Sequence, residues 1–81
     1  MVRLTNIQIN GGIAECDIFP ENSLQAGHIA VDTKSGKLLS YTLPEGYAWC
    51  MSHVAHAKNR LCDIVKRNAI EPGLSVTVAW Y

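Results

Sequence analysis

The residues best placed to do chemistry lie between Trp49 and Arg67. Cys50, His53 and His56 form a C-x2-H-x2-H run. Trp49 stands four residues before His53, Arg60 four after His56, and Asp63 and Arg67 follow. Residues three and four apart are neighbours on a helix surface, so in a helix Trp49, His53, His56, Arg60 and Arg67 share one flank. Two histidines at that spacing can share a cation. Zinc, however, asks for four ligands or three and a water, and Cys50 falls in phase with the apolar stripe rather than with the histidines. A further ligand would have to come from His28 or Cys16, and there is no H-E-x-x-H run. A metal site is therefore not expected.

Nucleophilic catalysis fares no better. It needs a thiol or hydroxyl beside a placed base and an orienting acid. The helical phase buries Cys50 and turns His53 away from it, and Cys62 and His56 fall on different arcs. Glu15 and Asp17 share a strand face, but a bare strand face offers no pocket for acid and base work. They are expected to pair with lysines across the sheet. Asn10-Gly11-Gly12 is a hairpin turn with no helix after it, so it is not a phosphate loop. The chain is read as a non-enzyme without a cofactor.

Three readings of the flank remain. It can be a solvated helix face, with His56 paired to Asp63 and basic residues near the C-terminal end of the dipole. It can be a protein-binding surface, because Trp and Arg combine contact area with directed polar groups. It can contact nucleic acid, with Arg60 and Arg67 on phosphates and Trp49 stacking on a base. Lys58, Arg60, Lys66 and Arg67 all lie on this segment, out of seven Lys and Arg in the chain.

The elements that must position these residues are legible from period and turn signals. Residues 2–9 and 13–19 read as strands around the Asn10-Gly11-Gly12 turn, with the apolar phase slipping near Thr5-Asn6, the mark of a bulge. Residues 20–27 read as a loop. Strands over 28–33 and 37–43 flank a second turn in which Gly36 takes positive φ. Ile29 and Val31, then Leu39, Tyr41 and Leu43, are expected to face the core. A helix is expected from about Glu45 to Asn68, opened by Pro44 and Glu45. Its buried stripe is Cys50, Val54, Ala57, Leu61, Ile64 and Val65, widened by Tyr47, Met51 and Cys62. A last strand spans Leu74 to Tyr81, with Trp80 in the core and Tyr81 on the opposite face.

This β-β-β-β-α-β order predicts a single α+β domain over residues 1–81. Its two layers are a five-stranded, mostly antiparallel sheet in the order 5-1-2-3-4 and one long helix on one face. The other face carries Glu15, Asp17, Asp32, Ser40, Thr42, Ser75 and Thr77 together with Leu38, Ile13, Phe19, Ala79 and Tyr81. That mixed face, or an exposed sheet edge, offers a route to a homodimer.

With 81 residues there is room for one core, and 48% hydrophobic residues at zero net charge exclude a disordered chain. The even charge balance argues against coating nucleic acid through a global field. No apolar run reaches the roughly 18 residues of a membrane span. The alternating opening residues are unlike a signal peptide, and three cysteines at irregular spacing are no disulfide framework. A cytosolic chain is expected. The reading that results is a protein-interaction or regulatory module, of the inhibitor type found in phage and mobile elements. It would act on another protein through Trp49, His53, His56, Arg60 and Arg67. The alternative is a small nucleic-acid-binding protein using the basic half of the helix.

Overall fold

The first two strands show how the sequence sets the sheet. In the computed structural model, which describes residues 1–71 and 73–79, β1 (Val2–Asn10) and β2 (Ile13–Pro20) form an antiparallel hairpin. Gly11 and Gly12 close it at φ 56° and 84°, the left-handed pair that a two-residue hairpin requires. The register shifts between Thr5 and Gln8, and Asn6 takes φ 54° there. This is the expected bulge. It brings Ile7 back to the face already occupied by Val2 and Leu4, and all three are buried.

β3 (Gly27–Asp32) pairs with β2, and β4 (Leu38–Thr42) pairs with β3. In the connecting turn Gly36 holds φ 73° as expected, its N–H donates to Asp32 O at 2.8 Å, and the Asp32 carboxylate accepts the Lys34 N–H at 2.8 Å. After the helix α1 (Met51–Lys66), β5 (Val76–Val78) returns beside β1. The sheet order β4-β3-β2-β1-β5 is wholly antiparallel, as the sequence predicts.

The helix packs chiefly on β1, β2 and β3, with β5 at one side. Val54, Ala57, Leu61 and Ile64 meet Val2, Leu4, Ala14, Cys16, Ile18, Ile29 and Val31 in one core. Burial holds the Cys16 thiol at a pKa of about 12, with Asp17 adding to the effect.

Several boundaries differ from those expected. The helix begins at Met51, not Glu45. Gly46 at φ 84° turns the chain, Tyr47 N–H donates to Pro44 O, and Cys50 N–H donates to Tyr47 O, so two turns precede the first helical residue. Pro44 and Glu45 therefore do not open the helix, and Trp49 sits ahead of it. At the other end Asn68 takes φ 53°, Asn68 N–H donates to Val65 O, and Ala69 N–H donates to Ile64 O. This left-handed cap ends the helix close to the expected place.

The fourth strand departs from its alternation. A bulge falls between the pairs Ala30↔Ser40 and Val31↔Leu38. Leu38 is thereby placed opposite a core residue and packs against the core, rather than on the open face, while Leu39 and Tyr41 are 48% and 44% exposed. Among the described residues the last strand covers Val76–Val78, shorter than the expected Leu74 to Tyr81. The expectations for Trp80 and Tyr81 lie outside the described residues.

Candidate functional site

One end of the molecule gathers a loop, a turn and the first turn of the helix. Glu21 ends β2 in a left-handed conformation, φ 51°, and its N–H donates to Met1 O at 2.8 Å. Ser23 pins the loop that follows. Its Oγ donates to Gln25 O at 2.7 Å and accepts the Gln25 N–H at 3.2 Å. This leaves Leu24 at the tip, 97% exposed.

The Glu21 carboxylate reaches across to the helix. His53 Nε2 lies 2.6 Å from Glu21 Oε1, and the Met1 ammonium donates to the same oxygen at 3.1 Å. The His53 hydrogen bond, followed by that from the ammonium, holds the Glu21 carboxyl below its ordinary pKa. Cys50 is buried next to this pair. Burial pushes its thiol pKa up, and the Glu21 charge adds to the shift.

Trp49 lies over this group. Its Nε1 donates to Gly46 O at 3.1 Å, its ring stacks on Tyr47 with centroids 6.2 Å apart, and it meets the His53 ring edge-on at 5.7 Å. Even so, Trp49 is 66% exposed. Tyr47, Glu45 and Gly46 on one side and Leu24 and Gln25 on the other line a shallow groove beside it. Met51, next to the Trp49 turn, is exposed as well.

The five residues expected on one flank thus divide. Trp49 and His53 touch, but His53 is 4% exposed and faces Glu21, so it supports the Trp49 ring from beneath and offers no surface of its own. Arg60 and Arg67 form a separate group, with Arg60 Nη1 donating to Asp63 Oδ2 at 2.9 Å and Arg67 Nε donating to Asp63 Oδ1 at 3.1 Å. His56 is half-buried between the two groups in sequence. Sequence spacing missed Glu21, Leu24 and the groove. The Glu21–His53 contact joins residues far apart in the chain, and the only local sign was the Pro20-Glu21 loop signal.

Other chemistry can be placed in the same way. Asp17 pairs with His28 across the open sheet face at 3.1 Å, rather than with a lysine, and the Arg3 guanidinium lies over the Phe19 ring at 4.7 Å from its centroid. Among the described residues no group of three or more His, Cys, Asp or Glu side chains is arranged to hold a cation, and no helix is long and apolar enough to cross a membrane. Comparisons with family models, with curated proteins and with solved structures returned no match.

Proposed function

We propose that this chain is a small protein-interaction module whose anchor is Trp49. The observation behind this reading is that Trp49 combines wide exposure with fixation by Gly46, Tyr47 and His53. An aromatic side chain ordered before binding loses little rotamer freedom when a partner covers it. Tryptophan is also enriched among the residues that dominate interface energies. Leu24, Tyr47 and Met51 extend the apolar surface, and Glu45 and Gln25 supply a polar rim, the usual anatomy of an interface.

A module of this kind works by occupying a partner's surface, so its role is regulatory, in the manner of an inhibitor-type protein of a phage or mobile element. Free cysteines, two of them buried in the core region, suit a reducing cytoplasm. The nucleic-acid alternative rests on Arg60 and Arg67, and both already donate to Asp63, which weakens it.

The test is affinity capture with immobilised wild-type protein and a Trp49→Ala variant, followed by direct binding of the purified candidate partner. The expected loss on Trp49→Ala is about 2 kcal/mol or more of binding energy, with the melting curve nearly unchanged. Equal binding by the two proteins refutes the reading. So does unfolding of Trp49→Ala, which would make Trp49 a structural residue.

A further inference from the structure

We propose that the pocket between the β3–β4 turn and the second half of α1 binds a short aliphatic carboxylate. Its hydrocarbon rests on Leu61, and its carboxylate is held between Lys34 and Lys66. The site lies toward the opposite end of α1 from Trp49 and does not depend on that anchor.

The pocket follows from side-chain size. Ala14 on β2 stands opposite Val31 on β3, and Gly36 in the turn and Cys62 on α1 are small as well. A Cβ on Gly36 would lie 3.9 Å from Cys62 Sγ, so turn and helix meet there and close one side. What remains is a partly enclosed space of about 90 Å³. Ala14, Val31 and Leu61 are buried and Val65 is half-buried, and together they make an apolar floor. A water on that floor finds few partners, so its replacement by hydrocarbon is favourable. An apolar cavity of about 150 Å³ holds one benzene, so this one has room for a chain of about three or four carbons.

Charge selects the other end of the ligand. Lys34 lines the pocket from the turn and Lys66 from the helix, and no Asp or Glu is among the described residues around it. The carboxylates next in sequence to lining residues are engaged elsewhere. Asp32 accepts the Lys34 backbone N–H at 2.8 Å, and Asp63 accepts from Arg60 and Arg67. In a chain of zero net charge this sets local positive charge over an apolar cleft. A hydrocarbon that ends in a carboxylate satisfies both features. An amine of the same length sets like charge against the lysines, and an alcohol gives up the charge-assisted contact.

The probe is butyrate, titrated into the ¹⁵N-labelled full chain. Saturable amide shifts are expected at Gly36, Leu61, Cys62 and Val65, with a dissociation constant of about 1 mM, the range for so small a ligand. Butanol and butylammonium should bind about tenfold more weakly or less. Lys34→Gln combined with Lys66→Gln changes two exposed side chains, so the melting curve should hold while butyrate binding falls about tenfold. Cys62 supplies a second readout. Cys16 and Cys50 are fully buried and Cys62 is half-buried, so iodoacetamide alkylates Cys62 first in the folded chain. Butyrate at ten times its dissociation constant should slow that step about tenfold. The absence of a saturable shift up to about 20 mM butyrate overturns the proposal. So does equal binding of butanol, or butyrate binding that leaves Cys62 alkylation unchanged. Shifts confined to Lys34 and Lys66 and reproduced by inorganic phosphate also overturn it, because the lysines then pair with anions outside the pocket.

Discussion

His53 Nε2 and Glu21 Oε1 lie 2.6 Å apart, although 32 positions separate the two residues in the chain. This contact fastens the loop after β2 to the first turn of the helix, directly beneath the exposed ring of Trp49. It links a stability element to the candidate binding surface. It also places a carboxylate next to Cys50 and the Met1 ammonium, so part of the acid behaviour of the fold is tied to this end of the molecule.

The sign of that acid behaviour follows from Glu21. Its carboxyl has an ordinary pKa of 4.5, which the unfolded chain approaches, and the folded value is lower because His53 and the Met1 ammonium donate to it. The unfolded state therefore binds the proton more readily. The stability contributed is complete above about pH 5 and is lost as pH falls through the folded value. Asp32 is also held low, mainly by the Lys34 N–H, and acts in the same window, so the wild-type curve alone does not isolate Glu21. Thermal melts of the wild type and Glu21→Gln from about pH 7 to 2.5 do isolate it. The wild type should melt higher at neutral pH, and the gap should close in acid. A gap that stays constant across the range would contradict the assigned contact.

A second prediction concerns how β4 is seated. Gly27 opens β3 at a point where a Cβ would press against the Thr42 carbonyl oxygen and come within 3.2 Å of Leu43 Cα and Pro44 Cδ. Two of those neighbours are backbone atoms of the segment that ends β4, so relief requires moving the strand. Gly27→Ala should cost about 1–3 kcal/mol in urea denaturation, the range for overpacking a well-filled site. Ordinary stability in that variant would mean that β3 and the end of β4 are farther apart than described.

What the sequence made legible was whatever a local rule could fix. The turn at Gly36, the hairpin at Asn10-Gly11-Gly12 and the slip at Asn6 each follow from backbone sterics or from the two-residue period, and they set the strand order. The helix start was misplaced because Tyr47 and Trp49 match the helical period, while Gly46 at φ 84° sends the chain through turns instead. Unbroken alternation places Leu39 and Tyr41 on one inner face, but the bulge that sets Leu38 opposite Val31 takes Leu39 out of that phase. Tyr41, opposite Ile29, keeps the inner phase yet lies on the outermost strand, and alternation does not report whether one helix covers the face that far. In the candidate site, Trp49 was identifiable by type. Its support from His53 and Glu21 was not, because that depends on a loop contact between distant positions, and the same contact takes His53 out of the binding surface.

The last prediction separates the two functional readings through Asp63. Its oxygens accept from Arg60 Nη1 at 2.9 Å and from Arg67 Nε at 3.1 Å, so the two guanidinium groups most able to hold phosphates share one internal carboxylate. Such surface pairs are weak, typically about 0.2–1 kcal/mol, and they do not lock the side chains. Their effect is on the local field, since Asp63 cancels part of the charge that would attract a polyanion, in a chain whose net charge is already zero. Wild-type protein titrated into labelled single- and double-stranded oligonucleotides should give a flat anisotropy trace at about 50 mM salt. Asp63→Asn should introduce weak binding that disappears near 200 mM salt, with a log–log slope of about −0.7 to −0.9 for each phosphate neutralised. Micromolar binding by the wild type, lost in both Arg60→Ala and Arg67→Ala and unaffected by Trp49→Ala, would instead move the function to the basic end of the helix. The Trp49 surface would then be left without a role in recognition.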